Sequence, residues 1–218
     1  MDIIEAAKYG NLNRIIELIR EGFDINLQNR GGYTPLHIAI IYGQLGIVNT
    51  LIYAGADVNL PNYFENTPLH FAAGARGATN NHLDIVNVLI TLGADVNLPN
   101  NNNNTPLHIA ATNNHLDIVI ALIDGGANLN IRNNRGETPL EAAQINDNHN
   151  IVDFINKYKL IRTRQRLNLA LGLSHSSSLD SLKGGLDPWA GLLTIPNIPK
   201  EVLLRKAGED FLLSFADE

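Results

Sequence analysis

The residues in this chain best equipped for chemistry are its histidines. His37, His70 and His108 each follow the same three residues, and three imidazoles brought together are a zinc ligand set. Their spacing argues for a different role. They lie 33 and 38 residues apart, so each occupies one position of a recurring unit and serves that unit rather than a shared site. His82, His115 and His149 mark a second recurring place, where a second helix of each unit opens. Ser174-His175-Ser176 combines a hydroxyl with an imidazole, but it stands in a Ser-rich linker without a buried acidic partner. The chain has no H-E-x-x-H, phosphate-binding glycine loop, G-x-S-x-G elbow or dinucleotide fingerprint. It also has no cysteine, which removes disulfides, thiolate metal sites and cysteine nucleophiles together. The expectation is a protein that is not an enzyme and carries no metal and no cofactor.

The elements that hold these histidines are easy to place. Thr34-Pro35-Leu36-His37 returns as Thr67-Pro68-Leu69-His70, as Thr105-Pro106-Leu107-His108 and as Thr138-Pro139-Leu140-Glu141. In phase with it, Gly55-Ala56-Asp57-Val58-Asn59 returns as Gly93-Ala94-Asp95-Val96-Asn97 and, loosened, as Gly126-Ala127-Asn128-Leu129-Asn130. Threonine before proline starts a helix well, because the hydroxyl accepts from an orphan amide and proline at the first helical position has no amide to lose. Apolar spacing from Leu83 to Ile90 predicts a second helix that stops at Gly93. A tight turn precedes each Thr-Pro, with Gly32, Glu65, Asn103 and Gly136 at the place that wants a left-handed backbone. Asn tolerates that conformation and Glu does so poorly, so the Glu65 turn is either strained or reshaped.

These residues resemble the ankyrin family, whose T-P-L-H-x-A signature and 33-residue unit match residues 1–158. The resemblance implies an all-α solenoid of five helix-turn-helix repeats, at about 1–29, 30–61, 62–99, 100–132 and 133–158. It also implies that the signature histidines bond to turn backbone. The first repeat lacks T-P-L-H and the fifth replaces the histidine by Glu141, as end repeats that face water do. The 38-residue interval places five extra residues within 74–81, a loop insertion of the third repeat, either neutral or part of a binding face.

A protein partner is the implied ligand, held on a concave surface of turn tips and first helices. The corresponding positions are Gln28, Arg30, Tyr33, Ile41 and Tyr42, then Pro61, Tyr63, Phe64 and Asn66. In the fourth repeat they are Asn101, Asn102, Asn104, Thr112 and Asn113, and in the fifth Arg132, Asn134, Arg135 and Glu137. Large apolar groups at exposed positions make anchors, which singles out Tyr33, Tyr42, Tyr63 and Phe64; the alternative is that these rings pack between neighbouring turns.

Bulk properties narrow the partner. Net charge is −6, and residues through Tyr158 hold 8 basic and 15 acidic groups, which argues against nucleic acid. No run of 18 apolar residues exists, so no membrane insertion is expected. The opening Met1-Asp2-Ile3-Ile4-Glu5 is acidic where a secretory leader is basic, and with cysteine absent a monomeric cytoplasmic protein is expected.

After Tyr158 the composition changes. Residues 159–187 read as a basic helix extension followed by a Ser/Gly-rich linker, and 188–218 as a short helical C-terminal tail. Ile198-Pro199-Lys200-Glu201-Val202 resembles the start of an F-box, L-P-x-E-I/V, although only 17 residues follow Glu201. With Leu204, the residues Ile198, Pro199, Glu201 and Val202 then become the contact to an Skp-type adaptor of a ubiquitin ligase. Ankyrin repeats ahead of an F-box-like (PRANC-like) element look like the effector proteins of poxviruses and intracellular bacteria, delivered into a host cytosol to link a captured protein to a Skp/cullin ligase. The alternative is an inhibitor or scaffold whose tail, through Trp189, Leu203 and Phe211, caps the solenoid.

Overall fold

The structure is a computed structural model that describes residues 1–75 and 80–170, with Asn80 and residues 164–170 described through their backbone alone. The described residues form ten helices and no strand. The helices come two to a repeat: α1 (Ile3–Lys8) packs on α2 (Leu12–Arg20), α3 (Pro35–Ile41) on α4 (Leu45–Tyr53), α5 (Pro68–Gly74) on α6 (Asn80–Thr91) and α7 (Pro106–Thr112) on α8 (Leu116–Asp124), and α9 (Pro139–Ile145) is followed by α10 (His149–Ala170). The chain divides into two units, Met1–Arg162 and Thr163–Glu218, and within the second the backbone is helical as far as Ala170.

The helix starts follow from the sequence. Every first helix after α1 has an extended threonine as its N-cap and proline in the first turn. Second helices end by folding the chain back on itself: the amides of Ala56, Ala94 and Ala127 each donate at 2.9 Å to a carbonyl of the last turn. First helices stack in one row, α1 on α3 on α5 on α7 on α9, and second helices α2, α4, α6 and α8 stack in another. Alanine makes the first row close: Ala39, Ala72, Ala110 and Ala143 are wholly buried. Leu36, Leu69 and Leu107 project from the same helices into a core that runs continuously from Ile3 to Ile155. Burial of each such leucine is worth about 1.5–3 kcal/mol, so the stack is held by repeat-to-repeat contact.

Two sequence expectations are corrected by the structure. His149 does not share the place of His82 and His115; Asn148 does. The left-handed residues Gly43, Asn114 and Asp147 (φ 63°, 62° and 55°) set the register, and the residue after each is Gln44, His115 or Asn148. His115 Nδ1 donates to the Ala73 carbonyl at 2.9 Å and Asn148 Nδ2 to the Ala111 carbonyl at 2.7 Å, whereas His149 is exposed. Each of these side chains ties its second helix to the repeat before it. In addition, α6 begins at Asn80, ahead of His82. His82 is buried and faces the Ile40 carbonyl.

The question of Glu65 is settled in favour of strain. Glu65 and Asn103 both have φ 58°, beside 78° at Gly32 and 77° at Gly136. All four donate to the carbonyl three residues earlier at 2.7–2.9 Å, so the turn keeps its shape whatever occupies it. Helix α10 continues over 22 residues, against nine for α2, α4 and α8. Ile151 and Ile155 bury its inner side, and Phe154 stacks on Tyr158 with ring centroids 6.3 Å apart. No helix of the described residues is long and apolar enough to cross a membrane. Residues 76–79 of the insertion, Ser174-His175-Ser176 and the tail positions Ile198, Pro199, Glu201, Val202 and Leu204 lie outside the described residues.

Candidate protein-binding face

Each turn tip has an inner side, set against the first helix, and an outer side open to water. The inner side is built the same way in the three middle repeats. His37 Nε2 meets the Asn66 carbonyl at 3.2 Å, His70 Nε2 the Asn104 carbonyl at 2.9 Å, and His108 Nε2 the Glu137 carbonyl at 3.0 Å. A carbonyl only accepts, so Nε2 carries the proton and donates. Nδ1 then accepts from the amide of the N-cap threonine, at 3.1 Å in all three repeats. One neutral ring thus caps its own helix and pins the next turn. Burial of the rings pushes His37 and His70 down to about 4, and His108 is also lowered by burial. The role implied by the family resemblance, hydrogen bonding to turn backbone, is what these histidines perform. Among the described residues no group of three His, Asp or Glu side chains comes together around a metal-sized space.

The fifth repeat solves the same problem with a carboxylate. Glu141 Oε2 accepts from the Thr138 amide at 2.7 Å and from its hydroxyl at 2.8 Å, and pairs with Arg132 at 3.0 Å. Those hydrogen bonds, with Arg132 after them, hold Glu141 below the usual carboxylate range. Among the described residues no further turn tip follows α9, so a group that caps its helix without reaching onward suffices there.

Sequence reasoning missed the second set of inner residues. Asn29, Asn62, Asn100 and Asn133 each accept two backbone amides through Oδ1, at 2.9–3.0 Å, and so shape the tip. The signal was present, since asparagine stands five residues before every Thr-Pro threonine. In the last two of these the remaining amine reaches the repeat before. Asn100 Nδ2 donates to Asn66 Oδ1 at 2.8 Å and Asn133 Nδ2 to Asn104 Oδ1 at 3.0 Å. At the equivalent place in the second repeat stands Tyr33, whose ring offers no such acceptor. Asn62 Nδ2 is accordingly buried without a hydrogen-bond partner. A buried donor left unpaired costs about 1–3 kcal/mol, so the aromatic at position 33 stands where an acceptor would stabilise the fold better.

Tyr33 is half-buried, with ring centroids 5.5 Å from Phe71 and 6.0 Å from His37. It packs between repeats, as the alternative reading of these rings had it. Asn66 is also committed to the fold, through its backbone bonds with Asn62 and through Asn100. The other positions face outward: Tyr63 is 63 % exposed, Phe64 59 %, Tyr42 50 % and Ile41 41 %, and Arg30 is exposed. Tyr63 and Phe64 stand on the third tip, and Ile41 and Tyr42 at the far end of α3, a helix of about 10 Å. Between Tyr42 and its fourth-repeat counterpart Asn113 the equivalent residues are Gly74 and Ala75, which leave the surface low. The fourth tip presents Asn101 and Asn102, the fifth Arg135 and Asn134, all exposed. The tips are tied into one row: Tyr63 donates its amide to the Gly31 carbonyl, Asn101 to Phe64 and Asn134 to Asn102, at 3.0–3.3 Å.

Paired helices, stacked in two rows and edged by ordered turns with unlike outer residues, are the architecture of a helical-repeat binding scaffold. A family model described as ankyrin repeats, in three copies, matches residues 3–100 and 69–163, and the chain belongs to that family. No curated protein matches the chain. The repeats are a protein-protein interaction module of a kind that is generally non-enzymatic.

Proposed function

We propose that the chain captures one partner protein on the outer side of its second and third repeats, with Ile41, Tyr42, Tyr63 and Phe64 as anchors and Arg30 at the edge. The observation that carries this is the exposure of four large apolar side chains on backbone that is already hydrogen-bonded within and between tips. Binding there orders little that is not ordered beforehand, and the apolar area is available to a partner without reorganisation. Tyr33 and Asn66 belong to the support beneath the face rather than to its contact surface. Affinity capture followed by cross-linking, with the full chain and with Tyr63→Ala/Phe64→Ala, tests the reading. Loss of the partner with unfolding unchanged to within about 0.5 kcal/mol is expected. Equal capture by both forms would sink it.

The finer reading, an effector of the poxvirus or intracellular-bacterial type that joins its captured protein to a ubiquitin ligase in a host cytosol, is supported by the sequence Ile198-Pro199-Lys200-Glu201-Val202. Purified Skp-type adaptor is the probe, offered to the full chain and to a form ending at Ala170, where α10 ends. Retention by the full chain alone supports the adaptor role. Retention by neither leaves an inhibitor or scaffold acting through the repeats.

A further inference from the structure

The stack is acidic, but its charge is unevenly placed. Three of its arginines, Arg30, Arg132 and Arg135, stand on the tip row, against Glu65 and Glu137. The rest of the chain through Tyr158 holds five lysines and arginines against thirteen carboxylates. Arg132 is occupied, pairing with Glu141 at 3.0 Å. Arg30 and Arg135 are exposed, and among the described residues no carboxylate lies within ion-pair distance of either. Between them the fourth tip is neutral, with Asn101 and Asn102 outermost. An acidic protein has no need of cations for solubility at these places, and among the described residues no side chain pairs with either.

From this we infer that the partner binds through an extended acidic segment: bulky apolar side chains meet Tyr63 and Phe64, and carboxylates meet Arg30 and Arg135. The inference rests on the face proposed above and adds the chemistry of its occupant. The reach is consistent with one strand. Neighbouring helices in such a stack lie roughly 8–10 Å apart, so three intervals separate Arg30 from Arg135 by roughly 30 Å. About nine residues of extended chain cover that distance at roughly 3.3 Å each. The carboxylates that outnumber cations over the rest of the chain through Tyr158 disfavour the same segment there, so charge selects the tip row over those flanks as well as attracting to it. Exposed pairs of this kind act mainly on association and are weakened by salt.

A random phage-displayed library of peptides long enough to span the row, about twelve residues, panned against the full chain, is the test. Enriched peptides should combine Asp or Glu with Phe, Leu, Trp or Tyr, and bind less tightly as salt is raised. Arg30→Glu/Arg135→Glu should weaken them about tenfold, with an unchanged circular-dichroism melt, and should enrich Lys- or Arg-bearing peptides when panned itself. Enriched peptides without acidic residues, or peptides that bind the charge-reversed form equally well, overturn the inference, as does a library from which nothing is enriched. The two readings separate cleanly. Peptides lost on Tyr63→Ala/Phe64→Ala but indifferent to charge reversal keep the face and remove the acidic segment, whereas peptides indifferent to Tyr63 and Phe64 remove both.

Discussion

The inner and outer sides of the same four tips follow opposite rules. Inside, positions 29, 62, 100 and 133 are all asparagine, and the histidine of each middle repeat makes the same two bonds. Outside, the equivalents of Arg30 are Tyr63, Asn101 and Asn134, and the residues after them are glycine, phenylalanine, asparagine and arginine. Uniformity marks what every repeat must do to hold the next one; variety marks what the stack presents to a partner. Tyr33 is the instructive crossover. It occupies an inner position with an outer type of residue, and Asn62 Nδ2 loses its acceptor as a result.

Acid should break the inner side first, and with the largest effect. His37 and His70 titrate near 4 when folded and near 6.5 when unfolded, so the unfolded chain takes up their protons first. Their contribution is fully present above pH 6.5 and is lost as pH falls from there through 4, by on the order of 3 kcal/mol for each ring. Glu141 is lowered instead from the ordinary 4.5, so its contribution fades only below that value. Urea melts between pH 7 and 5 should weaken steeply while the fifth-repeat cap is still intact. A flat profile over that range would mean that the rings take up protons as readily in the fold as in the unfolded chain. His70→Ala at neutral pH is expected to cost about 3 kcal/mol, because it leaves the buried Thr67 amide without a partner, takes from the Asn104 carbonyl one of its two donors and empties a buried ring site.

Where the sequence was legible, the reason was local. Thr-Pro announces a helix start from two adjacent residues, and the structure begins α3, α5, α7 and α9 at Pro35, Pro68, Pro106 and Pro139. The left-handed positions at Gly32, Glu65, Asn103 and Gly136 were readable by counting back from the same threonines. What could not be read depends on a neighbour in space. Tyr33 looks exposed until Phe71 from the next repeat packs on it, and alanine at Tyr33 would damage that contact as well as the surface. For this reason Tyr63 and Phe64, and not Tyr33, are the residues whose removal separates binding from folding. Asn148 escaped because His149 beside it copied the residue type, though not the register, of His82 and His115.

The turn position itself offers a graded comparison. Gly32 lies under the next tip: a Cβ there would meet Tyr63 N at 2.6 Å, whereas a Cβ on Gly136 meets nothing within 4 Å. Both have left-handed backbones, so Gly136→Ala carries only the conformational cost, about 1 kcal/mol, and Gly32→Ala adds a backbone collision for about 2 kcal/mol or more. Equal losses in urea unfolding would show that the tips are not stacked as tightly as the Gly32 geometry requires.

Glu65 is the smallest effect and the most telling, because it runs in the stabilising direction. It holds φ 58° in a turn whose hydrogen bond, Glu65 N to Asn62 O at 2.9 Å, is as good as at Gly136. The geometry is therefore imposed by the tip, and the side chain contributes only the steric cost of Cβ against its own carbonyl. Glu65→Gly should raise stability by about 1 kcal/mol, offset in part by the greater freedom of glycine in the unfolded chain. Asn103→Gly should gain less, since asparagine visits this region readily. If Glu65→Gly instead lowers stability, the carboxylate must be making a contact that favours the fold. If it stabilises but weakens capture, Glu65 belongs with Tyr63 and Phe64 on the outer side, kept there for the partner at the expense of the turn.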